Sequence, residues 1–88
     1  MSKYFLVNNK QEWDWLMQKF EENSEIKWLA GGEPTSFKPL TYVKRIVNLD
    51  EDELNLTYAA LSDYENSGLV STDQIIEVDK LMEGENHG

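Results

Sequence analysis

The residues best able to do chemistry lie between positions 31 and 45, a stretch with three cations and a single acid, Glu33. The candidate ligand-binding residues there are two glycines, a pair of adjacent hydroxyl residues and three cations: Gly31, Gly32, Thr35, Ser36, Lys38, Lys44 and Arg45. Amides of a flexible turn, hydroxyl groups and cations are the donors that hold a phosphate or a carboxylate. The stretch therefore predicts a binding site for a small anion, which Trp28 could flank. The alternative is a loop whose lysines only offset neighbouring acids.

A run of four acids follows at residues 50–53: Asp50, Glu51, Asp52 and Glu53. It lacks the glycine at the turning position and the glutamate at the twelfth position of an EF-hand, so we predict no metal site. Trp15 falls on the solvent side of the helix predicted below. The acids and Trp15 instead predict a surface for a basic or hydrophobic protein partner.

Neither a catalytic set nor a cofactor motif occurs in the sequence. The chain has no cysteine and a single histidine, His87, one residue before the end. Gly31 and Gly32 are not followed by the lysine and hydroxyl residue of a phosphate-binding loop, nor by the glycine pattern of a dinucleotide site. We therefore predict a protein without catalytic activity and without a cofactor.

The overall charge narrows the range of partners. The 88 residues include 17 acidic and 8 basic side chains, giving a formal charge of −9. This charge repels phosphate backbones and predicts no direct binding to nucleic acid. Acidity of this density is an ordinary means of staying soluble, and the alternative is an acidic surface that mimics nucleic acid.

Hydropathy and cysteine content indicate a compartment. No apolar run approaches the ~20 residues that span a bilayer, and the apolar run at residues 4–7 is too short for the core of a signal peptide. The absence of cysteine suits a reducing environment. We expect a cytoplasmic protein without membrane contact.

Hydrophobic spacing predicts one helix and five strands. Asn9 and Glu12 have the spacing of a helix cap. The helix is predicted over residues 10–23, with one apolar face made of Trp13, Leu16, Met17 and Phe20. Alternation or β-forming composition predicts strands at residues 4–7, 26–30, 42–49, 54–58 and 74–78. Three further segments are a loop at residues 31–39, a hairpin tip at 50–53 and an irregular segment at 60–72 that could hold one helical turn.

These elements predict a single α+β domain over residues 1–81, in the order β-α-β-β-β-β. The helix is expected to cover one face of a mostly antiparallel sheet of four or five strands. Residues 82–88 lack apolar side chains to pack and predict a flexible tail. Because so small a domain has a thin core and Trp15 faces solvent, we expect a homodimer that covers the remaining apolar surface.

Three segments resemble small accessory proteins of phages and prophages in Gram-positive bacteria. They are Glu12-Trp13-Asp14-Trp15-Leu16-Met17-Gln18-Lys19, Lys27-Trp28-Leu29-Ala30-Gly31-Gly32-Glu33-Pro34-Thr35 and Ile75-Ile76-Glu77-Val78. The resemblance covers most of the chain. It implies stoichiometric binding to a host or defence factor, either a protein or an anionic nucleotide-like signal. The alternative is a structural or assembly component that self-associates.

Overall fold

The structure, a computed structural model, describes residues 2–68 and 72–86. In chain order its elements are β1 (Ser2–Val7), α1 (Lys10–Glu21), β2 (Lys27–Trp28), β3 (Arg45–Asp50), β4 (Asn55–Ala60), α2 (Leu61–Ser67), β5 (Ile75–Glu77) and α3 (Val78–Asn86). Short 3₁₀ turns occur at Pro34–Ser36 and Thr72–Gln74. Among the described residues, no helix has the length and hydropathy needed to cross a membrane.

The five strands form one mixed sheet in the order β2-β4-β3-β1-β5. β3 is antiparallel to β1 and β4, whereas β1–β5 and β2–β4 are parallel pairs. The α+β class is therefore confirmed. The prediction of a mostly antiparallel sheet holds only in part, since two of the four strand pairs are parallel, and the prediction of one helix is wrong, since the described residues form three. Parallel neighbours need a long crossover, and here other elements of the chain lie between the two strands of each parallel pair. Alternation within a strand carries no information about such crossovers.

The start of α1 is fixed by the predicted cap. Asn9 Oδ1 accepts a hydrogen bond from the Glu12 amide at 2.8 Å, and Asn9 Nδ2 donates to Glu12 Oε2 at 3.0 Å. The other carboxylate oxygen of Glu12 accepts from the Asn8 amide at 3.0 Å. Two side chains thus satisfy amides that have no partner within the helix. The helix begins at Lys10 as predicted and ends at Glu21, two residues earlier than predicted.

The predicted strands at residues 26–30 and 42–49 are shorter or shifted in the structure. β2 has only two residues because the chain turns directly after it: the Trp28 amide donates to Gly32 O at 3.0 Å, and the Gly31 amide donates to Trp28 O at 2.8 Å. Gly32 has a φ of 107°, and a Cβ there would lie 2.9 Å from Ser36 Oγ, so this turn requires glycine. β3 begins only at Arg45, because the residue before it, Lys44, has a φ of 51°, which lies outside the β region.

One face of the sheet packs against α1, and the predicted apolar face of the helix is confirmed. All four of its side chains are buried: Trp13, Leu16, Met17 and Phe20. They pack on inward side chains of the strands, among them Phe5, Val7, Val47 and Leu56. Phe5 and Phe20 meet edge to face, with 5.5 Å between ring centroids. This layer is the main core of the domain.

The opposite face of the sheet carries α2, in the segment predicted to be irregular. Tyr64 of α2 meets Tyr4 of β1 edge to face at 5.7 Å, and Ile46 on that side of β3 is fully buried. Alternation along the strands puts these two strand residues on the face away from α1. Only Leu61 and Tyr64 of α2 are even partly buried, which explains why the segment lacks a helical hydrophobic pattern.

α3 includes part of the predicted tail. Val78 is fully buried, Met82 packs against the main core, and Glu85 Oε1 lies 2.9 Å from Lys19 Nζ on α1. Residues 82–86, in the segment predicted to be a flexible tail, thus belong to a helix that contacts α1; Val78 and Met82 stand at helical i, i+4 spacing and turn the same way. His87 and Gly88, which the same prediction placed in the tail, lie outside the described residues.

Truncation of the apolar face of α1 should destabilise the domain severely. We expect Leu16→Ala to lower the free energy of unfolding by roughly 2–5 kcal/mol, because it leaves a cavity in a thin core. The control is Gln18→Ala on the exposed side of the same helix, which should change it by less than about 0.5 kcal/mol. Urea denaturation followed by circular dichroism measures both. Equal stability of the two variants would contradict the assigned core.

Candidate functional site

Five aromatic rings meet where α1, β2, β4 and the loop after β2 come together. Trp13 and Trp28 stack with 5.9 Å between ring centroids and 12° between planes. Three further rings pack around this pair: Phe37, Tyr42 and Tyr58. Aromatic pairs in such arrangements add about 0.5–1.5 kcal/mol beyond the area they bury. We call these five rings the aromatic cluster.

The loop between β2 and β3, residues 29–44, is tied to the aromatic cluster. Trp28 Nε1 donates a buried hydrogen bond to the carbonyl oxygen of Pro34 at 3.0 Å, and Pro34 itself is fully buried. Lys27 forms an ion pair with Glu33 at the start of the loop. Since the rings of Phe37 and Tyr42 belong to the cluster, the loop is held at several points along its length.

Part of the predicted anion site already holds a carboxylate of the same chain. The Thr35 amide donates to Glu21 Oε1 at 2.9 Å, and the Thr35 hydroxyl donates to the same oxygen. The hydroxyl bond, followed by the amide bond, lowers the pKa of Glu21 below its ordinary value of 4.5. Ser36 Oγ donates instead to the carbonyl oxygen of Glu33 at 2.6 Å. Two hydroxyl donors of the predicted site therefore serve the loop itself.

An apolar groove opens beside the aromatic cluster. Its volume is about 370 Å³. Trp28 and Phe37 line it together with Leu29, Leu56 and Tyr58. Gly31 also lines it, but no lysine or arginine does. This size falls in the range of small-molecule and peptide-anchor sites, roughly 300–1,000 Å³. We call it the apolar groove.

A second groove adjoins the first at Tyr58, which lines both. It has a volume of about 400 Å³ and contains Arg45, Leu40 and Asp63. β4 forms the common wall, because Leu56 to Tyr58 line the apolar groove and Tyr58 to Ala60 line the second. We call the second one the Arg45 groove.

The three cations of the predicted anion site differ from the other basic residues in whether they form ion pairs with carboxylates. Five of the eight basic residues form ion pairs with carboxylates: Lys3, Lys10, Lys19, Lys27 and Lys80. Within residues 2–68 and 72–86, no carboxylate lies in ion-pair range of Lys38, Lys44 or Arg45. Arg45 Nε donates only to the carbonyl oxygen of Thr41, at 3.3 Å. Positive charge therefore remains available along this part of the surface, although Gly31 and Arg45 line different grooves.

Exposed apolar side chains concentrate along the same surface, and the sequence did not single them out as a site. Of the five large apolar side chains that are exposed in the described part of the chain, four lie at residues 29–58: Leu29, Leu40, Val43 and Tyr58. Leu29 is 64% exposed and Leu40 fully exposed. The alternation of residues 26–30 already placed Leu29 on the solvent side. The convergence of Leu29 with Phe37 and Tyr58 arises only from the tertiary fold.

The predicted protein-binding residues lie at two separate places. Asp50 closes the β3–β4 hairpin, since its Oδ1 accepts from the amides of Asp52 and Glu53 at 3.0 and 3.3 Å. Glu51 Oε2 lies 3.5 Å from Lys3 Nζ. Trp15 is half-buried: it packs against the main core, and Lys19 Nζ lies 5.5 Å from the centre of its ring.

Trp15 was expected on the solvent side of α1, where a protein partner or a second copy of the chain would cover it. The structure places it beside Met82 of α3, and Lys19, whose ammonium lies over the ring, is also bound to Glu85 of α3. The C-terminal helix therefore covers part of the surface on which the expectation of a homodimer rested. The acidic hairpin tip does form as predicted, because β3 and β4 are antiparallel neighbours.

Among the described residues, no three histidine or acidic side chains converge as a metal site would require. The prediction of a protein without a metal remains a prediction, as does the absence of catalytic activity.

No known protein family, curated protein or solved structure matches the chain. The function therefore has to be inferred from the chemistry of the surface itself.

The bond between Thr35 and Glu21 should respond to pH in a defined direction. Because the pKa of Glu21 is lowered in the folded state, the bond stabilises the loop above the ordinary carboxyl pKa and is lost as the pH falls through the lowered value. We expect Thr35→Val to raise the pKa of Glu21 toward its ordinary value, whereas Ser36→Ala should leave it unchanged. A titration of the side-chain carboxyl by NMR measures this. An unchanged pKa in Thr35→Val would refute the assignment.

Proposed function

We propose that this chain is a non-catalytic binding protein whose target occupies the apolar groove and the adjoining Arg45 groove. The observation that supports this most strongly is the concentration of exposed apolar side chains around Trp28 and Tyr58. Contiguous apolar surface is uncommon on small monomers and marks sites that other molecules cover. A chain with a charge of −9 has ample polar side chains for solubility, so exposure of Leu29 and Leu40 calls for another reason.

The composition of the two grooves resembles that of protein-binding hot spots. Aromatic and arginine side chains carry a large share of binding energy at interfaces. Trp28 and Tyr58 provide rings held by their neighbours in the aromatic cluster, and Arg45 provides a cation without a carboxylate partner among residues 2–68 and 72–86. Because the rings are already packed, little side-chain entropy is lost on binding. The target should combine an apolar group with a negative charge.

The biological setting proposed here follows from the resemblance to phage and prophage accessory proteins. Such a protein would act in the cytoplasm of a bacterial host and bind a host or defence factor stoichiometrically. A protein target is favoured over a small nucleotide-like signal, because the apolar groove has no cation and the hydroxyl groups of Thr35 and Ser36, which could join Arg45 in holding a phosphate, already bond within the domain. Self-association through the same surface is the rival function.

Placing a charge in the apolar groove should abolish binding. We expect Leu29→Glu to reduce capture of a protein target from Gram-positive bacterial lysate at least tenfold, since loss of one buried apolar contact costs about 1.5–3 kcal/mol. The matched control is Leu81→Glu, which changes an exposed leucine of α3. Native mass spectrometry should give a one-to-one complex for the wild type and for Leu81→Glu. Equal capture by Leu29→Glu would exclude the groove as the binding surface.

The charged residues can be tested in a similar pair of variants. We expect Lys44→Gln combined with Arg45→Gln to weaken capture and reduce its salt dependence, because these cations would face an acidic target. Asp52→Asn combined with Glu53→Gln should leave capture unchanged and keeps Asp50, which closes the hairpin turn. Capture that is lost only in the hairpin variant would move the binding surface to the acidic tip. Full capture by both would show that neither set of charges contributes.

A further inference from the structure

Part of one edge of β4 carries backbone groups that pair with no strand among residues 2–68 and 72–86. The amides of Lys27 and Leu29 donate to the carbonyl oxygens of Leu54 and Leu56 at 3.1 and 2.9 Å, so these carbonyls point toward β2. On the other edge, the Leu61 amide donates to Lys44 O at 2.9 Å, next to β3. Backbone groups alternate between the two edges of a strand. The N–H and C=O of Tyr58 therefore point toward the β2 side.

β2 ends too early to pair with Tyr58. It has only two residues, and the turn at Gly31 and Gly32 then carries the chain away. In the described part of the chain, no backbone bond from the β2 side reaches Tyr58. A strand edge of this kind is a template for another extended chain. The unpaired part of the β4 edge is short and lies between flanking segments, so it differs from a long, flat edge strand.

The two grooves follow this same edge. The apolar groove is lined by β4 up to Tyr58, and the Arg45 groove continues from Tyr58 to Ala60. Five residues of β4 therefore border the two adjoining grooves, over a length of about 17 Å at about 3.4 Å per residue. A segment of this length is what a short extended peptide needs in order to pair by its backbone and place side chains in pockets.

We propose that the occupant is an extended segment of another protein that pairs with β4 at Tyr58, with one apolar side chain in the apolar groove and one acidic side chain at Arg45. This inference rests on the proposed function and specifies its partner. The choice of an acidic residue follows from charge complementarity: Lys38, Lys44 and Arg45 lack carboxylate partners among the described residues, and a single acid, Asp63, lines the Arg45 groove.

The geometry also fixes the spacing within the peptide. Leu56 and Arg45 lie on the face of the sheet that carries the aromatic cluster, because Leu56 pairs with Leu49 and Arg45 with Val7. Side chains on one face of a strand are separated by an even number of residues. The apolar and acidic residues of the occupant are therefore two or four positions apart. A second copy of the chain is a poorer occupant, since it adds another nine negative charges.

The test is a selection of displayed random octapeptides on the full-length chain, followed by synthesis of the best binder. Enriched peptides should contain an aliphatic or aromatic residue and an acid two or four positions apart. N-methylation of single backbone amides is then scanned by fluorescence anisotropy. Only every second amide of a paired peptide faces β4. Methylation of these amides should weaken binding about tenfold or more, whereas methylation of the intervening amides should weaken it by less than about twofold.

Two controls separate this inference from the proposed function. Arg45→Gln should weaken the acidic peptide about tenfold but leave the analogue with glutamine in place of the acid unchanged. One possible result is a peptide that competes for the groove and does not bind Leu29→Glu, yet shows no alternation in the N-methyl scan. This result would overturn strand pairing, while the groove would remain a binding site. Failure to enrich any peptide on the wild type over Leu29→Glu, or a stable dimer that buries Tyr58, would also overturn the inference.

Discussion

The stacking of Trp13 on Trp28 is the interaction on which the rest of the structure depends. It joins α1 to a strand of only two residues, which pairs with Asn55 and Leu56 of β4. The indole N–H of Trp28 then fixes the carbonyl oxygen of Pro34, and Phe37 closes over both rings. A loop without regular structure is thereby given a defined shape by aromatic packing. Three rings of the aromatic cluster, Trp28, Phe37 and Tyr58, also line the apolar groove.

The sequence predicts local structure well and tertiary relations poorly. The cap formed by Asn9 and Glu12 and the buried face of α1 depend on residues three or four positions apart, and both were predicted correctly. The parallel pairing of β5 with β1 was not, because residues 4 and 75 are brought together by the whole chain between them. The helices α2 and α3 were missed because each buries too few apolar residues to give a periodic pattern.

In the candidate site, too, the sequence predicts local features better than tertiary contacts. Its cations could be singled out by local charge, and Lys38, Lys44 and Arg45 lack carboxylate partners within the described residues. Thr35 is fourteen positions from Glu21 in the chain, so its role as the partner of a carboxylate could not be foreseen. The exposure of Leu29 and Leu40 likewise depends on how the loop folds over the aromatic cluster. Local sequence indicates which groups are available, and the fold decides which of them remain free.

The pairing of β1 with both β3 and β5 has a consequence for the kinetics of folding. The β3–β4 hairpin forms between neighbouring segments of the chain. Tyr4, by contrast, pairs with Asn48 and Ile75, which are distant in the sequence. Chains dominated by such distant contacts fold slowly, since loop closure costs entropy before the contacts compensate for it. Until β5 arrives, the outer edge of β1 is open to other chains. Docking of β5 covers this edge and therefore removes a site at which an incompletely folded molecule could aggregate.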